Sequence, residues 1–183
     1  MTKVWKADTE NEARYTRASL LNVRDFRGVK TMTGEPLSDR FPGAQIAIDS
    51  EQPPADYFTA GPLFIVSDRL LSVLQQFPVR TELHPVKVIA RRAVQRSLRY
   101  FFVNILDEVD CLDRAASEYI EKGGFAGDIS KLVLDESKMA AVHLFRLARA
   151  SQFVVLVSDS LATAVDCAGV VGVRFVEPSG WRR

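Results

Sequence analysis

The stretch Tyr100–Ser117, YFFVNILDEVDCLDRAAS, decides how the rest of the chain is read. Its first half sets Tyr100, Phe102, Asn104 and Leu106 on one face and Phe101, Val103 and Ile105 on the other. Both faces are almost wholly apolar, which is the pattern of a sheet strand covered on two sides. Four acids, Asp107, Glu108, Asp110 and Asp113, then follow within seven residues as the chain leaves that strand. Beyond them, Arg114–Lys122 reads as a short helix ended by Gly123-Gly124.

Upstream, a strand over Leu83–Ala90 makes 83–106 a long antiparallel hairpin, with Arg91, Arg92, Arg96 and Arg99 at its tip. Before it, the buried-type strand Leu63–Val66 runs into Ser67-Asp68 and an amphipathic helix. Ser67 suits the N-cap and Asp68 the positive end of the helix dipole. Leu70, Leu71, Leu74 and Phe77 form the inward face, and Pro78 closes the helix. The same pattern recurs 91 residues later, where VLVSDSLATAV (155–165) repeats FIVSDRLLSVL (64–74) in strand, cap and helix face. Gly169 then takes the position after the helix end, and Gly172 bends a strand over Val171–Val176.

Further strands are expected at Val4-Trp5, from Ala44 to Ile48, at Lys131–Leu134 and at Val142–Leu147, with a polar turn over Asp135–Lys138. The expected architecture is α+β: a mixed, largely antiparallel sheet with a few helices and two related strand–helix–strand units. It is one domain over 1–183, with a loop-rich part at 1–60 and a core at 61–178 holding the possible internal repeat.

Of the 183 residues, 47% are hydrophobic and 26% charged, and the net charge is +1. That balance argues against a dedicated nucleic-acid binder, which carries a basic excess, and against an acidic mimic of DNA. Cys111 and Cys167 are far apart and suit a reducing interior, each as a small hydrophobe. The N-terminal stretch has no apolar run fit for a signal peptide, and runs such as Phe153–Val157 are too short to span a bilayer. A cytoplasmic protein with no membrane partner is expected.

No catalytic signature stands out. The Ser-Asp pairs lack the glycines of a nucleophile elbow, and an acid in the first turn disfavours a bound phosphate, so they read as helix caps. His84 and His143 fall inside expected strands with no ligand at metal spacing, so neither metal nor cofactor is assigned. The acids at 107–113 fit helix capping, docking of a basic partner, or metal and acid–base chemistry, with capping preferred over docking and docking over catalysis. The candidate partner-contact residues are therefore Asp107, Glu108, Asp110 and Asp113, with Arg91, Arg92 and Arg96 as the basic counterweight at the hairpin tip.

The order of motifs adds a family expectation. GEPLSDRFP (34–42), PADYFTAGPLFIVSDRL (54–70), the 100–117 stretch, KLVLDESK (131–138), LFRL (144–147) and VVLVSDSLATAVDCAGVVGVRFVEP (154–178) follow one another. Together they resemble the bacterial polymorphic-toxin immunity proteins numbered family eleven, over about Trp5 to Pro178. Asn104, Asp110, Asp113, Ser158, Gly172 and Phe175 match that family's pattern, which assigns them no catalytic role. The resemblance implies a non-enzymatic antidote that binds a cognate protein toxin, the product of the adjacent gene, as monomer or homodimer. The alternative is an enzyme that reverses toxin damage or acts on a small molecule through the acidic turn.

Overall fold

A computed structural model describes residues 1–8, 18–31, 33–48, 55–90, 99–139, 141–151 and 153–181. Strands β1 (Thr2–Ala7), β2 (Ala18–Leu20), β3 (Ala44–Ile48), β4 (Tyr57–Ala60) and β5 (Leu63–Ser67) lead into helix α1 (Asp68–Leu74). Then come β6 (Thr81–Ala90), β7 (Tyr100–Ile105), β8 (Glu108–Val109), β9 (Glu118–Lys122) and β10 (Phe125–Lys131). Strands β11 (Leu144–Leu147) and β12 (Val155–Ser158), helix α2 (Asp159–Cys167) and β13 (Val173–Val176) complete the order.

Strand β7 holds the central position the sequence gives it. Six strands lie in the order β2-β3-β6-β7-β5-β4, and five more in the order β13-β1-β12-β11-β8, while β9 and β10 form a separate hairpin. Pairing is antiparallel except for β3 with β6 and β11 with β8, so the architecture is α+β and largely antiparallel, as expected. One face of β7 sends Val103 and Ile105 into a core shared with both helices, Trp5 of β1 and Val155 and Val157 of β12. The other sends Tyr100 and Phe102 into a second core with Ile46, Ile48, Leu63 and Ile65. A third core, around Phe145, Leu156, Ile129 and Trp181, covers the far side of the five-stranded sheet. Burying a side chain such as Phe102 contributes roughly 2–3 kcal/mol, so β7 draws on two cores at once.

The repeat read from the sequence is a repeat of geometry. β5 and β6 both run antiparallel to β7, and are therefore parallel to each other across it, joined by α1. β12 and β13 flank β1 in the same way, joined by α2. Ser67 Oγ accepts the Leu70 N–H at 3.2 Å, and Ser158 Oγ accepts that of Leu161 at 3.3 Å, so both serines cap. The 83–106 hairpin is also present, paired from Thr81↔Ile105 to Val86↔Tyr100, with its tip outside the described residues.

The helix expected at Arg114–Lys122 is not there. Asp113 organises a single turn, since its Oδ1 accepts the N–H groups of Ala115 and Ala116 and its carbonyl accepts that of Ser117. Ser117 Oγ then both accepts from Val133 N and donates to Val133 O, at 3.0 and 3.1 Å, which pulls the chain out straight. Gly123 and Gly124, at φ +58° and +84°, make the two-residue turn between β9 and β10 rather than a helix end. The strand expected at Lys131–Leu134 lies earlier, as β10. Residues 132–134 are a connector touching the acidic stretch through the Leu112↔Leu134 bridge. The polar turn after it is a short 3₁₀ turn capped by Asp135.

Gly172 shows how closely the two large sheets meet. It sits at φ +91°, and a Cβ there would lie 2.5 Å from Ala55 Cβ and 2.6 Å from Tyr57 O. Gly172→Ala is expected to cost at least about 2 kcal/mol, because backbone strain and overpacking act together. Urea unfolding should show a lower midpoint at unchanged slope, and an unchanged midpoint would refute this account of the contact.

Candidate functional site

The fold divides the four acids of the 107–113 turn. Asp107 takes a 3.0 Å contact from Arg80 Nη1, while its carbonyl accepts the Arg146 N–H. Asp113 is spent on the turn described above. Glu108 opens β8 and places Oε2 3.5 Å from Arg146 Nη2. Asp110 lies 3.4 Å from Arg114 and 3.9 Å from Arg149. Glu108 and Asp110 keep 41% and 43% of their side-chain surface, so these two still face solvent. Among the described residues no group of three or more His, Cys, Asp or Glu could hold a metal ion. Arg91, Arg92 and Arg96 lie outside the described residues.

Glu108 borders an open groove of about 360 Å³, lined also by Thr33, Phe125, Arg146, Arg149 and Phe153. Arg146 forms its floor. It is buried in β11, donates Nε to Ile105 O at 3.1 Å, and burial lowers its pKa while Glu108 acts against that. Gly34, at φ +71°, passes directly over the guanidinium, where a Cβ would collide. Arg146 is barely legible in the sequence. Its only signal was one charge inside the apolar run LFRL, and a buried arginine requires an acceptor nearby.

Arg149 stands at the lip with its side chain 68% exposed, on a backbone at φ +52° that glycine would adopt more cheaply. The Arg149 carbonyl accepts the Ala126 N–H at 2.7 Å, and Ser151 N–H donates to Ala126 O at 2.9 Å. These two bonds fasten β10 to the turn after β11. On the hairpin, Lys122 opposes Phe125 and Ile120 opposes Gly127, so Ile120, Lys122 and Phe125 share a face. Ile120 and Phe125 are 54% and 49% exposed.

The polar residue inside β7 has a structural purpose. Buried Asn104 donates Nδ2 to Glu35 O and to Glu82 Oε2, at 2.9 and 3.1 Å. Glu82 also accepts the N–H groups of Leu37 and Ser38 at 2.7 and 2.6 Å, and His84 Nε2 lies 3.4 Å away. Burial alone would raise the pKa of Glu82, but the bonds from Leu37, Asn104, Ser38 and His84 bring it down to about 2. The other histidine, His143, places Nδ1 2.9 Å from the capping hydroxyl of Ser158 and its ring against Phe77. Cys111 is buried, its thiol pushed up to about 11 by burial, and Cys167 is exposed; both are free.

Fold and site together define an α+β protein of two large sheets and a separate hairpin, with an open groove of aromatic and guanidinium groups beside its acidic turn. The model of the Immunity protein family (Imm11) matches residues 6–179, and the chain belongs to that family. No curated protein matches the chain. Among the described residues, no helix is long and apolar enough to cross a membrane.

Acid tests the Glu82 cradle. Its folded pKa lies below the ordinary 4.5, so its contribution is complete above that value and disappears as the pH falls toward 2. The shift corresponds to roughly 3 kcal/mol at most. Glu82→Gln should therefore lose stability near neutrality and show a flatter decline than the parent between pH 4.5 and 2.5. Parallel curves from urea unfolding across that range would refute the assignment.

Proposed function

We propose that the chain is the antidote of a toxin–immunity pair, binding a cognate bacterial protein toxin one-to-one and neutralising it without turnover. The observation that carries this reading is the family match over 6–179, which spans nearly the whole chain. The composition supports it, because near-neutral charge leaves recognition to one local surface rather than to the field of the whole molecule. A stable protein–protein interface takes about 800 Å² from each partner. That is under a tenth of the 9721 Å² accessible here, so one face of the fold suffices. Two free thiols, one of them exposed, suit action in the reducing cytoplasm. The product of the adjacent gene is the partner to test.

Co-expression with that product, scored by growth and by co-purification, tests the reading. Rescue with a stable one-to-one complex is expected. Rescue without a complex would replace the inhibitor by repair chemistry. Failure to rescue a neighbour that is toxic alone, with both proteins expressed, would remove the proposed pairing.

A further inference from the structure

We infer that the toxin docks on the groove between the β9–β10 hairpin and residues 147–151 and 153–154. There an acidic side chain of the toxin meets Arg149, and a neighbouring apolar side chain packs against Phe125 and Ile120. This rests on the antidote reading and names the surface that would carry it.

Local charge supplies the complementarity. Three guanidiniums, those of Arg114, Arg146 and Arg149, share the two outward carboxylates of Glu108 and Asp110. Arg149 is the most exposed of the three, and Asp110, which it shares with Arg114, lies no nearer than 3.9 Å. On the hairpin Lys122 is matched by Asp128 at 3.0 Å. A carboxylate brought by a partner gives Arg149 a closer acceptor than Asp110 does.

The apolar part lies beside it. Apart from Met1, the large exposed hydrophobics of the described residues are Leu21, Val23, Ile89, Ile120 and Phe125, and Phe125 itself lines the groove. An aromatic residue next to an arginine is the combination that concentrates binding energy in protein interfaces. The groove has the volume to take one or two side chains rather than a domain. The platform is also pre-set. The bonds joining Ala126 to Arg149 and Ser151 hold hairpin and turn together, so little ordering is left for the moment of binding. Arginine at φ +52° is a backbone cost that glycine would remove, and the exposed guanidinium is what that cost retains.

The test uses the full chain and the catalytically silenced product of the adjacent gene, with affinity read by calorimetry and folding by thermal melting. Phe125→Asp, Arg149→Glu and Arg149→Gly are each expected to weaken binding at least about tenfold. Leu21→Asp, just beyond β2 at the edge of the six-stranded sheet, should stay within about twofold. Arg149→Gly is the sharpest variant, since relief of the backbone should leave the melting temperature unchanged or higher while affinity falls. Undiminished binding by the groove variants would overturn this surface and leave the antidote role standing. Weakened binding with a lowered melting temperature in Arg149→Gly would assign the residue to folding and also overturn it. A parent chain that neither binds nor protects overturns the antidote reading, and this inference with it.

Discussion

One buried carboxylate joins the parts of this molecule. Asp56 accepts Ser67 Oγ on one oxygen at 2.6 Å, and Val171 N–H and Arg69 Nη1 on the other at 2.9 and 3.4 Å. Ser67 caps α1, and Val171 leads into β13. Arg69 continues to the carbonyls of Ala168 and Gly169, at the negative end of α2. A single side chain thus links the six-stranded sheet, both helices and the last strand of the other sheet. The close approach of Gly172 to Ala55 and Tyr57 follows from this joint, since Asp56 and Tyr57 N–H groups both meet Val171 O. A buried charge held this way is costly to orphan, so its partners are constrained together.

What the sequence made legible was local or periodic. β7 could be read because both of its faces are apolar, and the two caps because serine, acid and helix face recur in order. Gly123-Gly124 was ambiguous for a physical reason: a helix end and a two-residue hairpin turn both call for positive φ. Ser117 decides between them by bonding Val133, 16 residues away, and no local pattern carries that information. Asp56 was equally hidden, with partners 11, 13 and 115 residues distant. The groove depends on Phe125 reaching Arg149 through Ala126, a contact between two segments that the helix reading kept apart.

The acidic turn carries a related lesson about density of charge. Four carboxylates in seven residues suggest a single site, yet a turn and a strand start aim them differently. One is used on backbone N–H groups, one on Arg80, and two on the guanidiniums around the groove. The spacing in sequence does not by itself make the four carboxylates converge. It delivers a surface where carboxylates and guanidiniums lie side by side.

The second strand–helix–strand unit has a consequence for assembly. Its middle strand, β1, is made first, whereas β12 and β13 follow about 150 residues later, which at usual synthesis rates is roughly 8–30 s. Until then β1 has neither neighbour, and an unpaired apolar strand invites pairing with other chains. Lys3 and Lys6 make the bare strand a poor template. After closure Lys3 meets Asp159 at 3.0 Å and Lys6 lies over the Trp181 ring, so both charges gain partners made long after β1 itself. The five-stranded sheet is in effect a clasp that shuts only once β12 and β13 have been made, and its two lysines keep it from catching on anything else first.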